Sequence, residues 1–149
     1  MTDPIPQQPR RLRISGLHHV TVICRDVARS VDFYRNLLGM RVVHETVNAD
    51  DQGARHLYFG DEAGKPGSLV TCLEYPNLEE GKVGVGSTHH FALAVDSVEE
   101  LQGWCDYLRS RGVPCTDVLD RDLYRSVYLR DPDGHIVELA AGDGRLVEE

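Results

Sequence analysis

The chain has 149 residues and a formal net charge of −8, with 41% hydrophobic and 27% charged residues. This length allows one domain with a sizeable core, and the composition is that of a soluble globular protein. The acidic charge argues against nucleic-acid binding, which needs a basic face, and no apolar run reaches the length that spans a membrane.

The start of the chain, residues 1–12, is polar and proline-rich, which is typical of a disordered leader. It lacks the apolar core of a signal peptide. The four cysteines show no metal-binding spacing, and three of them lie in apolar segments. We therefore predict reduced cysteines and a cytoplasmic location.

A first module is predicted over residues 14–75. It begins with a strand at His19–Ile23, which is rich in β-branched residues. Asp26 suits the N-cap of a following helix, and Gly39 suits its C-terminal stop. Three extended stretches complete this module, at 40–47, 54–60 and 68–74.

A second module is predicted over residues 87–142, after a polar linker at 76–86, and it repeats the same order. Its first strand, at 90–95, precedes a helix that is capped by Asp96 or Ser97 and stopped by Gly112. Three extended stretches follow, at 114–120, 124–130 and 135–141. The predicted fold is α+β: two paired βαβββ modules that form a curved mixed sheet with a concave face, in one domain over 13–149.

Two histidines and one carboxylate stand out in this duplicated pattern. His19 and His90 open the first strand of each module, and Glu138 is flanked by Val137 and Leu139. A carboxylate in such a run is costly to bury unless it is paired or binds a metal. Two imidazoles and one carboxylate form the facial arrangement of non-haem Fe(II) oxygenases. The sequence therefore predicts a metal centre made by these three residues at the pseudo-twofold axis.

Each of these residues also has an ordinary structural interpretation. A single histidine in a strand is more often a hydrogen-bonded residue than a ligand, and Glu138 could face solvent on an edge strand. The equivalent positions of His19 and His90 in two repeats favour the metal. Three further histidines are interpreted as surface or rim residues: His44, His56 and His135.

The chain resembles the vicinal oxygen chelate superfamily, which includes glyoxalase I, extradiol dioxygenases, and the fosfomycin- and bleomycin-resistance proteins. The resemblance extends from residue 14 to residue 141. Three segments most resemble the ring-cleaving dioxygenases that act on hydroquinones: Leu17–Thr21, His56–Glu62, and the stretch from Asp120 through Pro132. The resemblance implies metal ligands at the three positions already named.

The resemblance also implies the chemistry. The metal would be Fe(II), with Mn(II) or another divalent ion as the alternative. A phenolic substrate and O2 would use the open metal positions, and a ring carbon–carbon bond would be broken, as in aromatic degradation. Tyr128 would exchange a proton with a substrate oxygen, and Arg121 would hold a substrate anion. His18 would support the site from the position where the family also has a histidine.

Alternatives to this assignment stay open. A glyoxalase I-like isomerase or lyase would need a further carboxylate ligand, for which Glu74 is the nearby candidate, whereas alignment of the modules places Thr71 opposite Glu138. A metal-independent resistance protein that binds a small molecule such as an antibiotic would need no set of metal ligands. Arg121 could equally be a surface arginine, and strand parity turns His18 away from its neighbour, as expected of a structural histidine.

Assembly follows from the same comparison of modules. The hydroquinone-cleaving enzymes that the chain resembles carry additional modules and take their second histidine from a later one. Two modules must therefore close the site within one chain or by exchange between two chains. Free strand edges favour association. We predict a homodimer whose small-molecule partners are an aromatic substrate and O2, with neither nucleic acid nor membrane as a partner.

Overall fold

The structure is a computed structural model that describes residues 12–142. Most of the predicted leader, residues 1–11, lies outside the described residues. The first module contains the strands β1 (His19–Cys24), β2 (Arg41–Val47), β3 (Arg55–Gly60) and β4 (Leu69–Glu74). The second module contains β5 (Phe91–Ala94), β6 (Leu119–Asp120), β7 (Tyr124–Arg130) and β8 (Ile136–Gly142).

The two modules have the same topology. The strand order is β1-β4-β3-β2 in one sheet and β5-β8-β7-β6 in the other. In both sheets the first strand pairs in parallel with the last, and the other pairs are antiparallel. This confirms the α+β fold of two βαβββ modules. Over the described residues, the modules form two separate four-stranded sheets within the chain and not one continuous sheet.

Helical segments connect the strands where the cap residues predict them. These segments are α1 (Val27–Ser30), which continues as a π-helical stretch at Val31–Leu37, and α2 (Val98–Ser110). The side chain of Asp26 accepts a hydrogen bond from the Ala28 N–H, and that of Ser97 accepts one from the Glu100 N–H. Within residues 12–142, no helix combines the length and the apolar character that crossing a membrane requires.

The modules share one hydrophobic core and are also joined by polar contacts. The Tyr34 hydroxyl donates to Oδ2 of Asp131 at 2.8 Å, and Nδ1 of His135 lies 2.6 Å from the same oxygen. Arg29 donates to the Pro132 carbonyl at 2.6 Å. We call the Tyr34–Asp131–His135 contact the inter-module latch. It connects the first helix to the turn between β7 and β8.

Charge strengthens the inter-module latch. The hydrogen bond to Asp131 raises the pKa of His135 against the effect of burial. Burial alone would raise the pKa of Asp131, but His135 and the Tyr34 hydroxyl outweigh it and hold that pKa below its usual range. His135, which was interpreted as a surface or rim residue, is half-buried, and its ring pairs with an Asp131 side chain that is 1% exposed.

Candidate metal centre

The second module brings His90 and Glu138 together. His90 directly precedes β5, and Glu138 lies on the neighbouring parallel strand β8, opposite Ala92. Nε2 of His90 is 3.2 Å from Oε1 of Glu138, and the Glu138 side chain is 3% exposed. The parallel pairing of these two strands therefore places an imidazole nitrogen against a buried carboxylate.

The carboxylate of Glu138 fits a cation. Over the described residues its Oε1 atom is buried without a hydrogen-bond partner, so the contact with His90 is close but lacks hydrogen-bond geometry. An unpaired buried carboxylate oxygen is costly. Two ligand atoms held at about 2.1 Å from one ion, at right angles, would be about 3 Å apart. The observed 3.2 Å is close to that separation, so the pair suits two ligands of one metal.

Tyr128 lies beside this pair. It is opposite Glu138 in the antiparallel pairing of β7 with β8, and its ring centroid is 5.8 Å from that of His90. Interaction with the Glu138 carboxylate and burial raise the pKa of Tyr128, whereas Arg121 acts in the opposite direction. The phenol therefore carries its proton at neutral pH and can donate a hydrogen bond.

Arg121 reaches the same place from the loop between β6 and β7. Its Cζ atom lies 5.1 Å from the centroid of the Tyr128 ring. The next residue, Asp122, has a φ of 73°, an uncommon conformation for a residue other than glycine. Its backbone N–H donates to Oδ1 of Asp120 at 2.8 Å, which holds the loop in this shape. The structure thus places the Arg121 guanidinium over an aromatic ring of the candidate site.

Each of the two candidate histidine ligands contacts the histidine that precedes it. The Nδ1 atoms of His18 and His19 are 3.0 Å apart, and those of His89 and His90 are 2.8 Å apart. Such a contact engages Nδ1 and leaves Nε2 as the nitrogen for a metal, as in many metal sites where an outer partner orients the ligand ring. His18 thus contacts the candidate ligand, and His89 does the same in the second module.

The first module has a histidine at the position equivalent to His90 but no carboxylate at the position equivalent to Glu138. His19 opens β1, and two residues later Thr21 lies opposite Thr71 of β4. The two threonine hydroxyls are 2.7 Å apart, and Nε2 of His56 is 2.8 Å from the Thr71 hydroxyl. Thr71 therefore occupies the position at which the second module has Glu138.

Glu74, the candidate for an additional carboxylate ligand, has a different partner. Its Oε2 atom accepts a hydrogen bond of 2.8 Å from the backbone N–H of Val27, at the start of α1. A carboxylate at this end of a helix satisfies an N–H that has no partner within the helix. Glu74 thus contributes to the start of the helix.

The structure does not assemble all three candidate ligands in one chain. Within residues 12–142, no three His, Cys, Asp or Glu side chains are grouped so that they could hold one ion. His90 and Glu138 meet in the second sheet, whereas His19 belongs to the first. The centre made of His19, His90 and Glu138 stays a prediction, and a single chain brings together two of its members.

Two histidines near the site were not predicted to belong to it. His89 was not predicted as a site residue because strand parity turns it away from His90, yet the repeated His-His pair was a signal. His56 was interpreted as a rim residue, although it is half-buried and hydrogen-bonded to Thr71. The signal was available in β3, where His56 and Tyr58 place polar side chains on alternate positions between the buried Leu57 and Phe59.

Comparison with known proteins gives this geometry a context. The most similar relatives include MhqO of Bacillus subtilis, named for ring-cleaving dioxygenase activity, which is 36% identical over 131 residues, covering 86% of this chain and 41% of the relative. A chlorohydroquinone/hydroquinone 1,2-dioxygenase of Sphingobium indicum is 35% identical over 126 residues, covering 81% of this chain and 38% of the relative. The chain thus spans about two-fifths of the length of these curated relatives.

A solved structure and a family model agree with these relatives. The crystal structure of a Bacillus subtilis protein described as a dioxygenase matches with a TM-score of 0.78 and 35% identity, covering 85% of this chain and 40% of that chain. The model of the Glyoxalase/Bleomycin resistance protein/Dioxygenase superfamily matches residues 16–139. The paired βαβββ modules and this match lead to one conclusion: the chain belongs to the glyoxalase/bleomycin resistance protein/dioxygenase superfamily.

Proposed function

We propose that the protein is a metal-dependent ring-cleaving dioxygenase that acts on a hydroquinone- or catechol-like phenol with O2. The observation that carries this proposal is the buried Glu138 oxygen beside His90, with the Tyr128 ring next to both. A carboxylate, an imidazole and a protonated phenol are the groups needed to bind a metal and to hold an ionising substrate oxygen. The names of the relatives support the same class of reaction.

We further propose that two copies complete each metal centre, with His19 from one copy and the His90–Glu138 pair from the other. Over the described residues β1 and β5 each form an edge of their sheet. The residues that follow the two histidines on the same strand faces, Thr21 and Ala92, are exposed. Free edges that carry the missing ligands favour a homodimer in which β1 of one copy approaches β5 of the other.

Fe(II) is the proposed metal, with Mn(II) or another divalent ion as the alternative. When bound, the metal supplies Lewis acidity toward the phenol and one-electron chemistry toward O2. Two imidazoles and one carboxylate suit Fe(II) and leave coordination positions open. All four cysteines are free thiols, which supports the proposed cytoplasmic location.

The residues of this chain then bind and orient the substrate. The Tyr128 hydroxyl, which keeps its proton at neutral pH, donates to the substrate oxygen and can pass that proton during the reaction. The Arg121 guanidinium holds a negative oxygen of the substrate against the Tyr128 ring. His18 and His89 orient the two imidazole ligands through their Nδ1 contacts.

The glyoxalase-like alternative is less well supported. It needs a carboxylate where this chain has Thr71, and Glu74 accepts a hydrogen bond from the start of α1. Three protein ligands would leave more open metal positions for a substrate and O2 than a site with a fourth protein ligand would.

An O2-consumption screen tests the proposal. Protein is loaded anaerobically with Fe(II), mixed with a panel of hydroquinones and catechols, and followed with an oxygen electrode and mass spectrometry. We expect O2 uptake with at least one phenol and a ring-opened product that contains both oxygen atoms. Hemithioacetal isomerisation without O2 uptake would instead favour the glyoxalase-like function. Absence of both activities in metal-loaded protein would contradict the dioxygenase assignment.

A further inference from the structure

The first sheet contains a continuous chain of four hydrogen-bonding side chains that begins beside His19. The Thr21 hydroxyl is 2.7 Å from that of Thr71, which is 2.8 Å from Nε2 of His56, and Nδ1 of His56 is 3.5 Å from the Tyr58 hydroxyl. We call Thr21, Thr71, His56 and Tyr58 the threonine–histidine chain. Its Thr21 end is exposed on the face that carries His19, and Tyr58 at the other end is half-buried.

The position of this chain matches that of the candidate centre in the other module. Tyr58 lies opposite Thr71 in the first sheet, as Tyr128 lies opposite Glu138 in the second. Thr71 is completely buried, and a buried hydroxyl is retained at little cost only when it is hydrogen-bonded. The first module therefore has a buried hydroxyl with two hydrogen-bond partners at the position where the second module has its carboxylate.

The surroundings of the histidine in this chain favour its neutral form. Burial lowers the pKa of His56, and the nearby His19 and His44 lower it further. A neutral imidazole has one protonated and one bare nitrogen, so it donates on one side and accepts on the other. Each hydroxyl in the chain likewise donates one hydrogen bond and accepts another. All four groups can therefore point their protons either toward Tyr58 or toward Thr21.

We propose that the threonine–histidine chain is a proton relay that carries a proton from the phenolic substrate at the His19 side of the centre to solvent at Tyr58. This inference rests on the proposed function. Of the four residues only Thr21 would touch the substrate, and the other three act through it.

The proton balance of the relay is complete. The substrate O–H passes its proton to the Thr21 oxygen, Thr21 passes its own to Thr71, and Thr71 passes its own to Nε2 of His56. Nδ1 of His56 gives its proton to the Tyr58 oxygen, and the Tyr58 hydroxyl gives its proton to water. One proton leaves the phenol, one reaches solvent, and His56 changes tautomer without becoming charged.

The relay has a spectroscopic signature that does not depend on turnover. In metal-free protein at neutral pH, ¹⁵N NMR of the histidine rings should show His56 neutral, with both nitrogen shifts between those of a protonated and a bare nitrogen, because both directions of the chain are populated. Thr71→Val should change that balance. A cationic His56, or one fixed tautomer in the wild-type protein, would overturn the relay.

Kinetics provide the second test. In Fe(II)-loaded protein with its best phenol, Thr71→Val should lower kcat by about tenfold to a hundredfold and leave KM within about twofold, since the relay moves a proton and does not bind substrate. Thr71→Ser should restore kcat because it returns the hydroxyl. An unchanged kcat in Thr71→Val would overturn the proposal.

Controls separate this inference from the proposed function. Tyr107→Phe removes a tyrosine hydroxyl on α2, outside the site, and should leave kcat unchanged. If Thr71→Val does not fold, Tyr58→Phe removes the exit hydroxyl and is judged by the same kinetic criterion. If the wild-type protein consumes no O2 with any phenol, the dioxygenase proposal fails, and the NMR result alone decides the relay.

Discussion

Thr71 and Glu138 occupy the same register position in the two sheets. Thr71 lies opposite Thr21, two residues after His19, and Glu138 lies opposite Ala92, two residues after His90. The duplicated modules therefore carry two candidate imidazole ligands but one carboxylate. A centre made of His19, His90 and Glu138 draws on both modules, and every chain contributes the members of one complete set. The expected stoichiometry is one ion per chain.

Glu138 should be essential for the metal. We expect Glu138→Ala to abolish binding of one divalent ion per chain, because two neutral imidazoles leave the charge of the ion uncompensated. Metal content after gel filtration and calorimetric titration measure this effect. Glu74→Ala is the matched control: it should keep the metal and lose about 1–3 kcal/mol of unfolding free energy, the contribution of a charged hydrogen bond. Metal loss in Glu74→Ala would favour the glyoxalase-like site.

Mixing two inactive variants tests whether the centre is shared between copies. His19→Ala and Glu138→Ala should each be inactive alone. After subunit exchange about half of the pairs are mixed, and each mixed pair regains one intact centre, so about a quarter of the wild-type activity should return. A centre closed within one chain would give no recovery. Light scattering at micromolar concentration should show dimers, and a monodisperse monomer would contradict the shared centre.

Tyr128 should act in the chemical step. Tyr128→Phe is expected to keep the fold and the metal but to lower kcat by about 10²–10⁴, the usual contribution of a positioned acid or base. The pH dependence of kcat and the metal content of the purified variant check this. Full activity in Tyr128→Phe would leave Tyr128 as a packing residue on the wall of the site.

Arg121 should act in substrate binding. Because its guanidinium lies over the Tyr128 ring, Arg121→Ala is expected to raise KM more than it lowers kcat, as for a group that binds an anion in the ground state. Steady-state kinetics with neutral and carboxylated phenols measure the split. Arg125→Ala, on β7, is the matched control and should leave both constants unchanged. Equal kinetics in both variants would make Arg121 a surface residue.

The inter-module latch should make stability depend on pH. The raised pKa of His135 means that its contribution is fully present below 6.5 and is lost as pH rises through the folded-state value. The lowered pKa of Asp131 means that its contribution is present above 3.8 and is lost as pH falls through its folded-state value. His135→Gln should therefore cost about 1–3 kcal/mol between these limits and progressively less at alkaline pH.

Chemical denaturation across this pH range measures the cost of His135→Gln. His44→Gln removes an exposed histidine from β2 and serves as the control, with a small difference at every pH. A cost in His135→Gln that stays constant from acid to alkaline pH would mean that the latch is a neutral hydrogen bond.

Much of the fold could be predicted because local signals repeat. Asp26 and Ser97 cap their helices as their side chains indicate, and strands β2, β3, β4, β7 and β8 lie within or next to the predicted stretches. The stretch at 114–120 forms a strand only at Leu119–Asp120, with an isolated bridge between Cys115 and Leu129. Pro114 has no backbone N–H to donate and does not favour a regular ladder there.

The relation between the modules could not be predicted in the same way. Alternation tells which side chains share a face of one sheet, but not whether two sheets join. That depends on long-range contacts, such as the one between Tyr34 and Asp131, 97 residues apart. For the same reason the sequence predicted one centre made of His19, His90 and Glu138 but left open whether one chain or two supply it.

The inter-module latch has a geometric consequence for assembly. Tyr34 and Asp131 join the two modules, so in the proposed dimer they would help to hold the free edges β1 and β5 at a fixed angle. A second copy that pairs with both edges at once would form a closed, symmetric dimer that has no free edge for further association. A chain whose angle has been loosened would instead offer its two edges to two different neighbours. Such chains would assemble into an open filament, because head-to-tail contacts that do not close into a ring can add further copies indefinitely.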